Sequence, residues 1–188
     1  VSALRMLHPD LNIAVVSPGD FGAQQALASG ASRILAPGAQ AVEALATSDG
    51  GRVIRPRMTK LPILEQGVDA VFDCVGHTDT IDLALHLLRP GAMLVLVGAA
   101  GKQTVDWSLV WSRELTVQGT INSGPEPTLN GRRTMAQVAE WLADDDYRVD
   151  HLVTHTFDID DWQEALSVAS AGPRSHAVKV TLRPGSAA

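Results

Sequence analysis

The sequence predicts an α/β protein, a doubly wound sheet of parallel strands with helices between them. Short runs dense in valine, isoleucine and leucine, such as VDAVFDCVG and AMLVLVG, suit strands covered on both faces rather than half-exposed ones. A helical pattern separates successive runs, and strand, helix, strand is the unit that builds parallel sheets through right-handed crossovers.

Val1 to His8 has the spacing of a helix already in progress, with Ala3, Leu4 and Leu7 in phase and Pro9 and Asp10 as its stop. Asn12 to Ser17 (NIAVVS) reads as a strand buried on both faces, after which Pro18, Gly19 and Asp20 turn the chain. Phe21 to Ser29 is a helix closed by Gly30, and Arg33 to Ala36 is a second short strand leaving through Pro37 and Gly38. Ala39 to Thr47 is helical. Ser48 to Gly67, which contains Gly50, Gly51, Pro56 and Pro62, reads as irregular.

From Val68 the pattern sharpens. VDAVFDCVG is a buried strand ending in glycine, and Thr80 to Leu88 sets Ile81, Ala84, Leu85 and Leu88 on one helical face before Arg89, Pro90 and Gly91. Ala92 to Gly98 is the next strand, and Glu114 to Ile121 has strand composition. Thr134 to Asp144 is a helix expected to turn Met135, Val138, Ala139 and Leu142 inward. Strands at Leu152 to Phe157 and Ala177 to Leu182 flank a helix from Asp160 to Ala171, and Gly185 to Ala188 is a frayed tail.

The 188 residues, 45% hydrophobic and 19% charged, fit one soluble domain. A net charge of -6 with both signs interleaved leaves no basic stripe for a phosphate backbone, so nucleic acid is not an expected partner. The longest apolar stretch, Ala92 to Ala100, is about half of the ~20 residues that cross a bilayer, and the start of the chain lacks a signal-peptide layout. No membrane partner and a cytoplasmic location are expected. Cys74 is the only cysteine, which excludes an internal disulfide and a CxxC metal knuckle.

Several spaced features together resemble one family. VDAVFDCVG, a helix ending LLRPG, and MLVLVG resemble the fourth and fifth Rossmann strands of the medium-chain dehydrogenase/reductases, WSRELTVQGT resembles the sixth, and LVTHTFDIDDWQEAL with AVKVTL resembles the segment returning to their catalytic domain. The likeness is nearest the zinc-dependent alcohol and threonine dehydrogenase-like branch. It implies a Rossmann-like sheet of strand order 3-2-1-4-5-6 and makes residues 1–184 a partial dinucleotide-binding domain with a C-terminal return segment, followed by a tail at 185–188. Val1 to His8 resembles the helix that follows the family's Gly-rich phosphate turn. That turn and the first strand are absent, which predicts a hole between NIAVVS and VDAVFDCVG.

The resemblance also implies a function: the nucleotide-binding portion of an oxidoreductase that interconverts an alcohol and a carbonyl with NAD or NADP. Zinc would belong to the parent enzyme, its ligands lying in an N-terminal domain and not in this chain, so the chain alone is expected to be inactive and to hold a dinucleotide weakly. Rival readings are a non-catalytic nucleotide-binding or dimerisation module of the same fold and a methyltransferase. The last requires an acidic Gly-rich loop near the start and an antiparallel final hairpin, and the sequence has neither.

Candidate cofactor-binding residues sit where strands end, the edge at which open α/β sheets take ligands. Ser17 occupies the position where an acidic residue usually holds the ribose hydroxyls; it either leans toward NADP or simply caps a turn. Asp73, Cys74, Val75 and Gly76 end one strand, with Cys74 read as a packing side chain on a cofactor-facing backbone. Val97, Gly98 and Ala99 end the next, and by resemblance meet the nicotinamide carboxamide. Thr120 and Ile121 would continue the wall. His151 and His155 lack Cys or Glu neighbours at ligand spacing, and His155 reads as a residue that helps its strand pack or contacts the family's catalytic domain. Glu114 to Ile121 has no proline, no lysine and one charge, so as an edge strand it would pair with its own copy in a homodimer.

Overall fold

A computed structural model of the chain describes residues 1–57, 59–121, 124–126 and 130–185. In chain order the elements are α1 (Ser2–Leu7), β1 (Ala14–Val16), α2 (Asp20–Ala28), β2 (Arg33–Leu35), α3 (Ala39–Asp49), β3 (Val53–Ile54), β4 (Ile63–Leu64) and β5 (Val68–Asp73), then α4 (Thr78–Leu87), β6 (Leu88–Leu96), α5 (Ser108–Ser112) and β7 (Thr116–Gly119). They continue with β8 (Pro125–Glu126), β9 (Arg132–Arg133), α6 (Thr134–Trp141), β10 (Val153–Asp158), α7 (Trp162–Ser170) and β11 (Lys179–Arg183). Two compact units result, Val1–Ile34 with Gly124–Ala188, and Leu35–Ser123. No described helix is long and apolar enough to cross a membrane.

The unit from Leu35 to Ser123 carries the parallel sheet, ordered β5-β6-β7. Its registers, Asp73 opposite Leu96 and Leu96 opposite Gly119, bring the carboxyl ends of all three strands to one edge. Ile81, Ala84 and Leu85 of α4 are buried against Leu94, Ala92, Leu109 and Leu115, as the helical spacing predicts. Leu85, Leu88 and Leu94 are fully buried, each stabilising the unit by roughly 1.5–3 kcal/mol. The cover is one-sided: Phe72 of β5 is 48% exposed, which corrects the expectation of a strand buried on both faces. Leu88, Arg89, Pro90 and Gly91, expected to close the helix and turn, already belong to β6, with the register slipping between Val68 and Ala70 to admit them.

The stretch expected to be irregular, 48–67, contains the antiparallel pair β3–β4, Val53 opposite Leu64 and Ile54 opposite Ile63. Side chains hold it at its ends. Gln66 Oε1 accepts the Arg52 amide at 3.0 Å, and the Arg52 guanidinium meets Glu65 at 2.6 Å. Arg113 donates to the carbonyl oxygens of Leu64 and Glu65 at 3.1 and 2.8 Å, tying β4 to the end of α5. Burial pushes its pKa below the usual guanidinium value, with Glu65 opposing that shift.

In the other unit β1 pairs with β2, a sheet separate from β5-β6-β7. Val16 is exposed, so NIAVVS is likewise not covered on both faces. Arg5 of α1 binds the loops around these strands, donating to the carbonyl oxygens of Gly30 at 2.8 Å and Leu11 at 2.6 Å and to Ser32 Oγ at 2.9 Å. Here β10 and β11 flank α7, as the sequence predicts, and pair in parallel with Thr156 opposite Thr181 and Phe157 opposite Leu182. Arg132 and Arg133 form a two-residue antiparallel ribbon with Pro125 and Glu126 that the sequence did not announce. α6 stops at Trp141, short of Asp144, and its apolar stripe is not turned inward: Met135 is 64% exposed and Leu142 is exposed beside it. The part of the expected tail at residues 186–188 lies outside the described residues.

Candidate functional site

The carboxyl ends of β5 and β6 are joined through one residue. The main-chain oxygen of Asp73 accepts the amides of Val97 and Gly98 at 2.8 and 2.9 Å. Its carboxylate turns the other way, into its own loop: Oδ1 accepts the Val75 amide at 2.9 Å and the Gly76 amide at 3.2 Å, while Oδ2 accepts the Gly76 amide and the Thr80 hydroxyl at 3.2 and 3.1 Å. Asp73 is only 5% exposed, and a buried carboxylate is tolerable because donors fill its acceptor sites.

Two glycines let the loops touch. A Cβ on Gly98 would sit 2.4 Å from the carbonyl carbon of Val75 and 2.6 Å from the Gly76 nitrogen. One on Gly76, whose φ is +77, would meet the Ala100 nitrogen at 2.7 Å, so both conformation and space demand glycine there. Backbone therefore packs on backbone between the loops. Beyond Gly76, His77 caps α4 by accepting the Asp79 amide at 3.4 Å while Thr80 Oγ1 accepts the His77 amide at 3.2 Å. Thr78 then donates its amide and hydroxyl to Gln103 Oε1 at 3.2 and 2.8 Å, a second tie from the β5 loop to the segment after β6.

Of the residues proposed from sequence, Val75, Gly76, Val97, Gly98 and Ala99 come together in this paired-loop edge. Thr120 extends it, its amide donating to the Leu96 oxygen at 3.0 Å, and Ile121 stands out at 87% exposure. Cys74 lies in the same loop, but its side chain is exposed rather than packed, which corrects the buried reading. Ser17 belongs to the other unit, where its hydroxyl donates to the Gly19 oxygen at 3.0 Å inside the turn before α2. Sequence reasoning placed Asp73 at the strand end without a role for its side chain, and did not single out Thr80 or Gln103. The available signal was an acidic residue at a strand's end with glycine three positions on, the spacing of a side chain that satisfies its own turn.

His151 shares a hydrogen bond of 3.0 Å with Ser29 Oγ, and His155 stacks beside Phe157 within its strand. Among the described residues no three of His, Cys, Asp or Glu gather as metal ligands. A cavity of about 380 Å³ bordered by Ser2, Gln25, Ser29 and Tyr147 contains none of the sequence-proposed site residues. Near α5, Asp106 is held below the usual carboxylate pKa by the Ser108 hydroxyl and the Ser108 amide.

The sequence model of the zinc-binding dehydrogenase family matches residues 8–144. The chain is 33% identical over 117 residues to L-idonate 5-dehydrogenase of Vitis vinifera, covering 61% of this chain and 29% of that protein. To erythritol/L-threitol dehydrogenase of Mycolicibacterium smegmatis it is 30% identical over 120 residues, 63% of this chain and 30% of the other. Among solved structures, L-idonate 5-dehydrogenase from Escherichia coli superposes with a TM-score of 0.73 at 20% identity, over 96% of this chain and 45% of that one. A short chain alcohol dehydrogenase from Escherichia coli, complexed with cofactor NADH, gives 0.71 at 22% identity, over 96% and 47%. The chain thus spans about 30% of the length of these curated relatives and under half of these solved chains. The likeness establishes the Rossmann-like α/β fold expected from the sequence.

Proposed function

The chain belongs to the zinc-binding dehydrogenase family, and we propose that it is the nucleotide-binding portion of an oxidoreductase that interconverts an alcohol and a carbonyl with NAD or NADP. The observation that carries this reading is the edge formed by Val75, Gly76, Val97, Gly98 and Ala99. It lies at the carboxyl ends of adjacent parallel strands, where doubly wound sheets take dinucleotides, and its two glycines let the loops close backbone to backbone. When bound, the dinucleotide supplies the hydride chemistry. The chain's own part is to hold the two loops at fixed separation and to offer their backbone groups in place of water. The described residues provide no set fit to hold zinc, and no step of this reading passes through one.

An isotope-edited NMR titration of the chain with NADH and NADPH tests the proposal. The expected result is saturable shifts confined to the amides of Val75, Gly76, Val97, Gly98 and Ala99, with a Kd near 1 mM or tighter, about 4 kcal/mol or more. An unchanged spectrum at several millimolar of either dinucleotide refutes it.

The proposal extends to a homodimer through residues 114–121, in a cytoplasmic protein whose only cysteine is an exposed thiol. β7 is the outer strand of its sheet, and Trp111 and Ile121 beside it are 85% and 87% exposed. Amides alternate sides along a strand, so with the Thr120 amide donating inward to Leu96, those of Val117 and Gly119 face the open edge. Val117→Pro removes one outward donor without deleting a bond to β6. Sedimentation of the variant should show monomer in place of dimer; an unchanged dimer in a folded protein places the interface elsewhere.

A further inference from the structure

The buried carboxylate of Asp73 has no role in the reading above, although it is bonded to both loops that the reading uses. Its side chain fixes Val75, Gly76 and Thr80, and its main chain fixes Val97 and Gly98. We propose that Asp73 is a positioning residue, whose side chain, by accepting from the loop's donors, sets the shape of the backbone wall that meets the dinucleotide. The inference rests on the dinucleotide reading for its ligand but on the hydrogen bonds alone for its mechanism.

Chemistry makes the acid specific. The Val75 amide meets Oδ1, the Gly76 amide meets both oxygens, and the Thr80 hydroxyl shares its proton between Oδ2 and the His77 oxygen, so the side chain among them accepts on both oxygens. An amide in its place keeps one acceptor and turns an NH₂ toward the others, so the Gly76 amide loses one of its two acceptor contacts and the Thr80 proton is left to the His77 oxygen at 2.9 Å, which loosens the loop's hold on the side chain. The loop then relaxes, and because the β5 loop packs on Gly98 the distortion reaches the β6 loop as well. Asp73 does not itself touch the ligand in this scheme. It acts through Val75, Gly76 and Gly98, whose backbone does.

The experiment compares amide hydrogen exchange and NADH titration by NMR in the full chain and in Asp73→Asn. The variant should exchange the Val75 and Gly76 amides at least ten times faster, leave those of Leu85 and Leu94 unchanged, and weaken NADH binding about ten-fold. Thr80→Val removes one donor to the carboxylate together with the cap contacts to His77, so it should speed exchange at His77 and, by a smaller factor than Asp73→Asn, at Val75 and Gly76, while Thr80→Ser should behave as the parent; the response at Val75 and Gly76 in this pair decides the question if Asp73→Asn does not fold. Parental exchange at Val75 and Gly76 in folded Asp73→Asn, or in Thr80→Val, overturns the mechanism. Faster exchange with undiminished NADH affinity overturns the positioning role. A parent chain that binds no NADH removes the dinucleotide from the inference along with the reading it rests on, while the exchange results still decide whether Asp73 shapes the loops.

Discussion

Replacing Gly98 with alanine tests whether backbone contact between the loops holds this edge together. An added Cβ would lie 2.4 Å from the Val75 carbonyl carbon, whereas carbon atoms in contact rest at about 3.5 Å, so the loops must part by roughly 1 Å. The contact is with backbone, which has no rotamer through which to give way. Parting them stretches the 2.8 and 2.9 Å bonds from Val97 and Gly98 to the Asp73 oxygen beyond hydrogen-bond range, a loss of about 1–3 kcal/mol for the pair. Forcing a methyl into packed space costs a similar ~1–3 kcal/mol, partly the same energy counted again. Alanine returns about 0.4–1 kcal/mol by narrowing the unfolded ensemble, because Gly98 is not in the left-handed region. The net expectation is a loss of about 2–3 kcal/mol, or roughly 4–12 °C in melting temperature. Urea denaturation followed by circular dichroism measures it, with Gly101→Ala as the internal control. Gly101 has nothing within 4 Å of its notional Cβ, so that variant should stay within about 0.5 kcal/mol of the parent. Equal stability of the two variants refutes the close-approach argument.

Two further outcomes follow from side chains outside the edge. Arg113→Met keeps the apolar stem but abandons the carbonyl oxygens of Leu64 and Glu65, and urea denaturation should register a loss of about 1–2 kcal/mol after allowance for partial exposure; no loss means the guanidinium is not what holds β4. Asp106 has a folded pKa depressed below its unfolded value, so the stability it contributes is present above the unfolded value, near 4, and is lost as pH falls through the folded one. A carboxyl-carbon NMR titration should give it a midpoint below that of an ordinary aspartate, and Ser108→Ala should move the midpoint upward. An ordinary midpoint in the parent sinks the assignment.

Periodicity found the elements that bury their own stripe. Ile81, Ala84 and Leu85 were legible because α4 covers the sheet of its own unit. The same pattern in Met135, Val138, Ala139 and Leu142 gave the helix correctly but not its burial: periodicity reports which residues a helix can bury, not whether anything covers them. VDAVFDCVG departs from expectation for a related reason: a continuous apolar run implies two covered faces, while Phe72 is exposed. The β3–β4 pair was illegible because two-residue strands have no period, and contacts between Arg52, Glu65 and Gln66 hold it.

The candidate site divides along the same physical line. A glycine at a strand end is a statement about backbone, and Gly76 and Gly98 could be read from sequence because space and conformation leave no other residue there. Asp73 could not, since an acid in VDAVFDCVG reads as a polar strand terminus until its bonds to Val75, Gly76 and Thr80 are seen. Its neighbours in the loops turn their side chains outward: Cys74, Val75, Val97 and Ala99 are all exposed. The wall's shape is therefore set from behind, by glycines that permit contact and a carboxylate that enforces it, while the outward side chains are free to vary with what the wall faces. Substitution at Val75 or Val97 is accordingly a question of ligand fit, and substitution at Gly76, Gly98 or Asp73 a question of whether the wall exists.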